Sequence, residues 1–422
     1  MAITIKQYPI GQGNVIRLTM AHNPIEYVVS STNTAQTNFR YIADIWWNGA
    51  TEPIRYTQGA DPTNGRCRFD FSSVMRNTLS YDAPIGIIND FVDCSNSYQT
   101  LTVQFGEQYG ASSAIINYPN LLQEYTNIWN ACVPIDRWWN NTDIVDQYVV
   151  ENSSKQFLTN IPRNNYSIKV CYDDLYFLYF LQALTGQNVG YVEFVLYKGN
   201  SIHATVTWDC AVTFDKSVVK LGVGAKNLQD ASNYQNELNI TSSIGFPFMD
   251  NEITDYTVTL YNVGNKPVTE TLSFKIECEC TWENPYRLCF LNSLGGYDFF
   301  NFNWNSKKKS TYDKSFYKRK SWEWSASELI SYTSDNRGKI QYSTIATDKL
   351  ELTSGWITED ESTWLEELIS SPDVYIVNNT TGQLTAVTIT DSNYDYKTLE
   401  YDQLFNLTIS LEFAHSRYRQ AL

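Results

Sequence analysis

Between residues 404 and 413 apolar and polar side chains alternate without a break. Phe405, Leu407, Ile409, Leu411 and Phe413 fall on one side of an extended chain, and Asn406, Thr408, Ser410 and Glu412 on the other. A period of two specifies a β-strand with one buried and one wet face. The same C-terminal stretch, residues 351–422, opens with an equally legible helix. Thr358 stands three residues before Glu361, so hydroxyl and carboxylate can each satisfy a backbone donor at a helix start. A helix is predicted over residues 359–370. Trp364, Leu365, Leu368 and Ile369 share one face, Glu359, Glu361, Glu366 and Glu367 load the remainder, and Ser371-Pro372 ends it. Residues 374–377 and 384–390 are predicted strands joined by an Asn-Asn-Thr-Thr-Gly turn. The Phe405, Leu407, Ile409 side of the last strand is expected to pack on the helix.

The same reading extended toward the N-terminus gives a mainly β, multi-domain chain: β-sandwich domains followed by a small α+β module. Residues 1–112 are expected to form a fibronectin- or immunoglobulin-like domain. Its strands are predicted over 15–20, 25–29, 39–47, 53–57, 67–71 and 98–105, with Phe39, Tyr41, Ala43 and Ile45 on one face and Leu101, Val103 and Phe105 inward. Residues 113–305 are expected to form a larger β-rich domain. Strands are predicted there over 191–197, 203–210, 253–261 and 269–280, the last pointing Leu272, Phe274, Ile276, Cys278 and Cys280 inward. Residues 172–184 are so uniformly apolar and aromatic that they suit a buried helix or a core strand equally. Residues 216–247 are poorer in pattern and read as a long surface excursion. Residues 306–422 complete the chain with a basic loop and the α+β module.

Composition agrees and closes off several functions. At 422 residues the chain has room for two to four cores. Charged residues are only 18% of it, which suits a β-rich chain, and its aromatic content of 15% fits large protein interfaces and carbohydrate-stacking surfaces alike, so it decides nothing between them. A formal net charge of −15 disfavours a general nucleic-acid binder, which needs clustered cations over much of its surface. The N-terminal residues lack the apolar run of a secretory signal, and nothing approaches the ~20 apolar residues of a membrane span. The expectation is a chain made in the cytoplasm with no membrane partner. Eight cysteines at irregular intervals make no disulfide framework. Cys278, Cys280 and Cys289 lack the spacing of a zinc site, and the ordinary reading is buried reduced thiols.

The sequence carries no recognisable catalytic constellation. His22, His203 and His415 lie in no nucleophile or metal context, and no phosphate-cradling glycine loop is present. Asp173-Asp174, and Glu323 between Trp322 and Trp324, could serve as glycosidase carboxylates beside aromatic platforms, but that chemistry needs a set separation that sequence does not supply. The expectation is no enzyme and no cofactor. The adjacent pairs Trp46-Trp47 and Trp138-Trp139, if on strands, should each send one ring inward and one outward, which makes Trp47 and Trp139 candidate interface residues.

One segment opposes the global charge. Lys307, Lys308, Lys309, Lys314, Lys318, Arg319 and Lys320 place seven cations in fourteen residues, interleaved with Tyr312, Phe316 and Tyr317. This basic loop is read either as solvated chain or as a clamp on an acidic neighbouring subunit or a passing nucleic-acid strand, aromatics stacking while cations pair.

Four stretches carry a family resemblance: Phe69-Asp-Phe-Ser72, Phe105-Gly-Glu-Gln-Tyr-Gly110, Arg287-Leu-Cys-Phe-Leu-Asn-Ser-Leu-Gly-Gly-Tyr-Asp-Phe-Phe300, and Ser354-Gly-Trp-Ile-Thr-Glu-Asp-Glu361 with the residues 365–375 that follow. Together they resemble tail structural proteins of tailed bacteriophages infecting Bacteroidota, including the crAss-like group. The resemblance implies a non-enzymatic subunit of the virion tail, of hub, distal-tail or adaptor-ring type. It would be repeated around the tail axis as a cyclic homo-oligomer and would join other tail, portal-end or fibre proteins. Nucleic acid would enter only as genome DNA in passage. The competing expectation is a carbohydrate-binding or carbohydrate-cleaving tail spike or surface protein.

Overall fold

The chain, seen in a computed structural model, is described over residues 3–9, 17–87, 91–110, 115–117, 123–140, 144–182, 189–210, 217–229, 240–242, 244, 248–277, 285–332, 334–335, 337–390 and 406–418. It is mainly β, with several sheets and few short helices. Two compact units emerge. One comprises Met1–Cys278, Leu291–Asp298 and Asn379–Gly382; the other comprises Glu279–Phe290, Phe299–Asn378 and Gln383–Leu422. The expected boundaries near 112 and 305 do not coincide with the borders of these units.

The first unit opens with a sandwich. One antiparallel sheet pairs Ile3–Gln7, Glu26–Ser31 and Arg66–Asp70. The facing sheet runs Leu18–Met20, Gln123–Trp129, Tyr98–Tyr109, Arg40–Trp46, Ile54–Gln58. Alternation places Tyr27, Val29 and Phe69 from one sheet against Tyr41, Ala43, Ile45, Leu101, Val103 and Phe105 from the other, and all are buried in one core. Rings of Tyr27 and Phe105 lie 5.3 Å apart, and those of Phe69 and Phe71 stack at 6.0 Å. Gln123–Trp129 lies between Leu18–Met20 and Tyr98–Tyr109. The sheet therefore draws strands from both sides of residue 112.

Further along, a six-stranded sheet in the order Ile168–Val170, Leu272–Ile276, Asp255–Asn262, Val189–Lys198, Ser201–Asp209, Ile240–Ser242 faces a three-stranded sheet of Phe177–Gln182, Ser217–Gly222 and Phe91–Asp93. Phe91 bridges the layers, its ring 6.3 Å from Phe180 and 6.4 Å from Trp208. The ambiguous apolar run is thus resolved as strand, buried at every position of Phe177–Gln182. Leu272 and Phe274 point inward as expected, while Cys278 and Cys280 lie outside the described residues.

The expected surface excursion over 216–247 is corrected in its first half. Ser217–Gly222 is a fully buried strand, and the helix Ala225–Gln229 buries Ala225, Asn227 and Leu228. Val218, Val219 and Leu221 show no alternation because both faces of the strand are covered, and a doubly covered strand reads as an apolar run. Close backbone approach fixes one turn in this unit. Gly295 has φ +86°, and a Cβ there would sit 2.2 Å from the Asn130 carbonyl oxygen.

In the second unit one sheet dominates, ordered Tyr297–Phe302, Tyr286–Leu291, Val374–Asn378, Gln383–Ile389, Thr408–Phe413, Lys339–Thr353, Ser306–Lys318, with Arg417–Tyr418 added beside Lys339–Thr353. The helix Glu359–Ser370 lies where the sequence places it. Thr358 accepts from the Glu361 N–H while the Glu361 carboxylate accepts from the Thr358 N–H at 2.8 Å. Trp364 packs on the sheet, 5.9 Å from Phe290 and 6.0 Å from Phe300. Of the alternating C-terminal strand, Ile409 and Leu411 are fully buried, Leu407 is half-buried, and Phe405 lies outside the described residues.

Candidate interaction surface

The segment predicted as a basic loop is a strand. Ser306–Lys318 pairs antiparallel with Lys339–Thr353 over its whole length, from Ser306 opposite Leu352 to Lys318 opposite Lys339, with one register shift between Ser315 and Phe316. Thirteen extended residues span roughly 44 Å at ~3.4 Å each. Five lysines within Ser306–Lys318 depress strand propensity and hide the element. Its partner is easier to justify, since Ala346, Leu350 and Leu352 alternate inward and are buried.

The base of this ribbon is firmly held. Lys307 pairs with Glu351 at 3.2 Å and Lys349 with Glu412 at 3.4 Å, and Lys308 sits over the Phe413 ring at 5.6 Å. Asp348 accepts from the Ser310 hydroxyl at 2.6 Å and from the Arg417 guanidinium at 2.7 Å. The Ser310 hydrogen bond above all, with Arg417 assisting, holds the Asp348 carboxyl below its usual range, against the opposing effect of burial.

Beyond Thr344 no third strand joins the ribbon among the described residues. A bulge at Ser315/Phe316 leaves Tyr342 unpaired in the ladder, and such an insertion increases local twist. Lys339 lies over the Phe316 ring at 4.1 Å, and Tyr317 and Tyr342 rings are 6.2 Å apart. Tyr312, Phe316 and Tyr317 are each nearly half exposed. Lys309, Lys314 and Lys318 make no ion pair among the described residues. Arg319 reaches Glu323 at 3.7 Å, and Lys320 covers the Trp322 ring at 4.9 Å.

The ribbon ends in a second small antiparallel pair, Trp322–Trp324 with Ile330–Tyr332. Trp322 is opposite Tyr332, and Trp324 opposite Ile330. Directly opposed residues share a face, as do residues two apart, so these four side chains line one side while Glu323 and Ser331 take the other. The sequence marks Trp322 and Trp324 only as platforms flanking Glu323, whereas the pairing sends Glu323 to the opposite side; the signal for the shared face was the matched Trp-Glu-Trp and Ile-Ser-Tyr triplets.

The remaining sequence candidates separate. Trp47 is half-buried against the N-terminal sandwich core. Trp138 and Trp139 belong to the helix Ile135–Asn140 rather than to a strand; the Trp138 N–H closes the first turn on the Pro134 carbonyl at 3.0 Å, and Asp136 lies in that turn, where a carboxylate is favoured. Trp138 is fully buried, and the Trp139 side chain lies outside the described atoms. Asp174 is buried, accepting from the Cys171 N–H and the Asn379 amide at 2.8 Å each, whereas Asp173 is exposed. That pairing makes Asp174 a structural anchor. Among the described residues no three His, Cys, Asp or Glu gather as metal ligands, and no helix is long and apolar enough to cross a membrane.

Charge is partitioned unevenly along the chain. Residues 306–339 hold nine Lys and Arg against four Asp and Glu, which leaves the rest of the chain with 22 cations against 42 carboxylates.

No protein-family model matches the chain, and no curated protein matches it. Among solved structures it is similar to two of the Plexin A4 extracellular region. The one spanning domains 1 to 8 has a TM-score of 0.18 at 8% identity, covering 99% of this chain and 40% of that one. The one spanning domains 1 to 10 has a TM-score of 0.19 at 8% identity, covering 97% of this chain and 31% of that one. This chain thus spans well under half the length of either, and likeness at that level carries no argument.

Proposed function

We propose that this chain is a structural assembly subunit of a bacteriophage tail, of hub, distal-tail or adaptor-ring type. It docks its ribbon onto the acidic surface of a neighbouring copy. The tail assignment rests on the resemblance of the four sequence stretches. The docking role rests on one observation: the ribbon runs past its last sheet neighbour with aromatic side chains in water. A lone two-stranded ribbon is marginal by itself, so a partner that covers it adds the missing layer.

Charge complementarity supports a second copy as that partner, since the ribbon is basic and the remainder of the chain strongly acidic. Ribbon and acidic surface are different patches, so the contact is head-to-tail and closes into a ring when the rotation allows. Sedimentation velocity over a concentration series tests the assembly, with electron microscopy of the product. A discrete ring-sized species is expected. A monodisperse monomer at high concentration, with no association with tail particles, overturns the reading.

A further inference from the structure

We infer that the tip of the ribbon, residues 318–339, is a wedge for the headgroup interface of an anionic lipid bilayer. The inference stands apart from the assembly reading, which concerns the shaft. It also departs from the sequence-based expectation of no membrane partner, which concerned spans rather than surface contact.

Three observations carry it. First, the tip is apolar on one face only: Trp324 is 66% exposed, Ile330 63%, Tyr332 68%, and the adjoining Leu329 68%. A patch of this kind rimmed by charge marks an interaction site rather than chance exposure. Second, its composition is Trp, Trp, Tyr, Ile and Leu. Indole N–H and phenol O–H groups on large apolar rings suit the boundary where one end of a side chain is wet and the other dry. Third, the strands leading to the face carry Lys318, Arg319 and Lys320 on one side and Arg337 and Lys339 on the other, in a chain that is otherwise acidic. Cations beside a shallow apolar wedge are what an anionic leaflet attracts. Glu323 faces away from the apolar side, and Glu328 holds the turn, where the Ser325 N–H donates to the Leu329 carbonyl at 2.8 Å.

A protein partner fits the tip less well. Five side chains fall far short of the ~20–30 residues a side that a specific protein interface uses. A bilayer makes no such demand for area or shape.

Flotation of the full chain with lipid vesicles decides the matter. Wild-type protein should float with vesicles of phosphatidylcholine mixed with phosphatidylglycerol, and much less with phosphatidylcholine alone. Trp324→Ser combined with Ile330→Ser should weaken binding on the order of tenfold or more. Lys318→Gln with Lys320→Gln should weaken it on the order of tenfold and only on anionic vesicles. None of these residues is buried, so the melting temperature should stay at the wild-type value and serves as the folding control. The inference is overturned by absence of flotation with either vesicle, by equal flotation with both, or by tip variants that float like wild type. It is equally overturned if the tip variants lower the oligomer mass, which assigns the face to a protein, or if the tip retains glycans in place of vesicles. Aromatic shaft variants that assemble like wild type, with flotation intact, refute the assembly reading alone.

Discussion

At Leu368 the helix has no exposure left to lose, for the side chain is fully buried beside the equally buried Leu365. Leu368→Asp removes a core contact and buries a carboxylate, a combination expected to cost about 3–5 kcal/mol. Thermal unfolding should show a lower transition temperature, and an unchanged one contradicts this account of the helix. The cysteines allow a chemical check. Burial pushes the Cys67 and Cys94 thiols up to about 12, so almost no thiolate exists near neutral pH; burial raises the Cys132 thiol as well, but Cys132 is exposed to reagent while the other two are not. A thiol reagent should label Cys132 in the native chain and reach Cys67 and Cys94 only on unfolding. Early labelling of Cys67 or Cys94, followed by mass spectrometry, counts against those core positions. Residues of this sort are legible from sequence because their cause is local. The Thr358–Glu361 box needs only a spacing of three, and Leu368 only its place on an apolar stripe.

Elements are legible where alternation survives and illegible where polar residues enter a buried face. Lys339–Thr353 buries Thr344 and Asp348 in line with Ala346, Leu350 and Leu352, and its partner strand is nearly all lysine and hydroxyl. Charge was visible there, strand geometry was not. Asp348 also supplies a pH test. Its folded pKa is depressed, so its contribution to stability is complete above the ordinary aspartate pKa of ~3.9 and is lost only as pH falls through the lower folded value. Pairing of Arg417–Tyr418 with Ile345 and Ala346 should therefore persist through the mildly acidic range and loosen below it. Amide exchange along residues 345–346 measures this. Asp348→Asn should raise exchange there at neutral and mildly acidic pH, the difference from wild type closing once Asp348 is itself protonated, and a variant whose exchange matches wild type at neutral pH would remove the basis for the argument.

On the scale of the whole molecule, partner choice is what sequence periodicity leaves out. Phe91–Asp93 pairs with Ser217–Gly222 across more than a hundred residues, and Leu291–Asp298 belongs to the first compact unit although its flanks belong to the second. Alternation identifies a strand; only packing selects its neighbour. The same distinction governs how the ribbon would hold a second copy. Lys307 is 74% exposed and already paired with Glu351 of its own chain, so transferring it to a neighbour is worth about 0–1 kcal/mol. Phe316 and Tyr317 have large rings still half in water, the kind of side chain that dominates interface energetics once covered. Phe316→Ala and Tyr317→Ala should each shift assembly by at least ~1–2 kcal/mol, read as a five- to thirtyfold weaker association, with Lys307→Ala close to wild type. Added salt should slow association more than it weakens the assembled state, because exposed charges steer encounter while buried rings set the off-rate. If instead the lysine variant abolishes assembly and the aromatic variants leave it intact, the ribbon acts as a charged tether and the proposed buried contact is wrong.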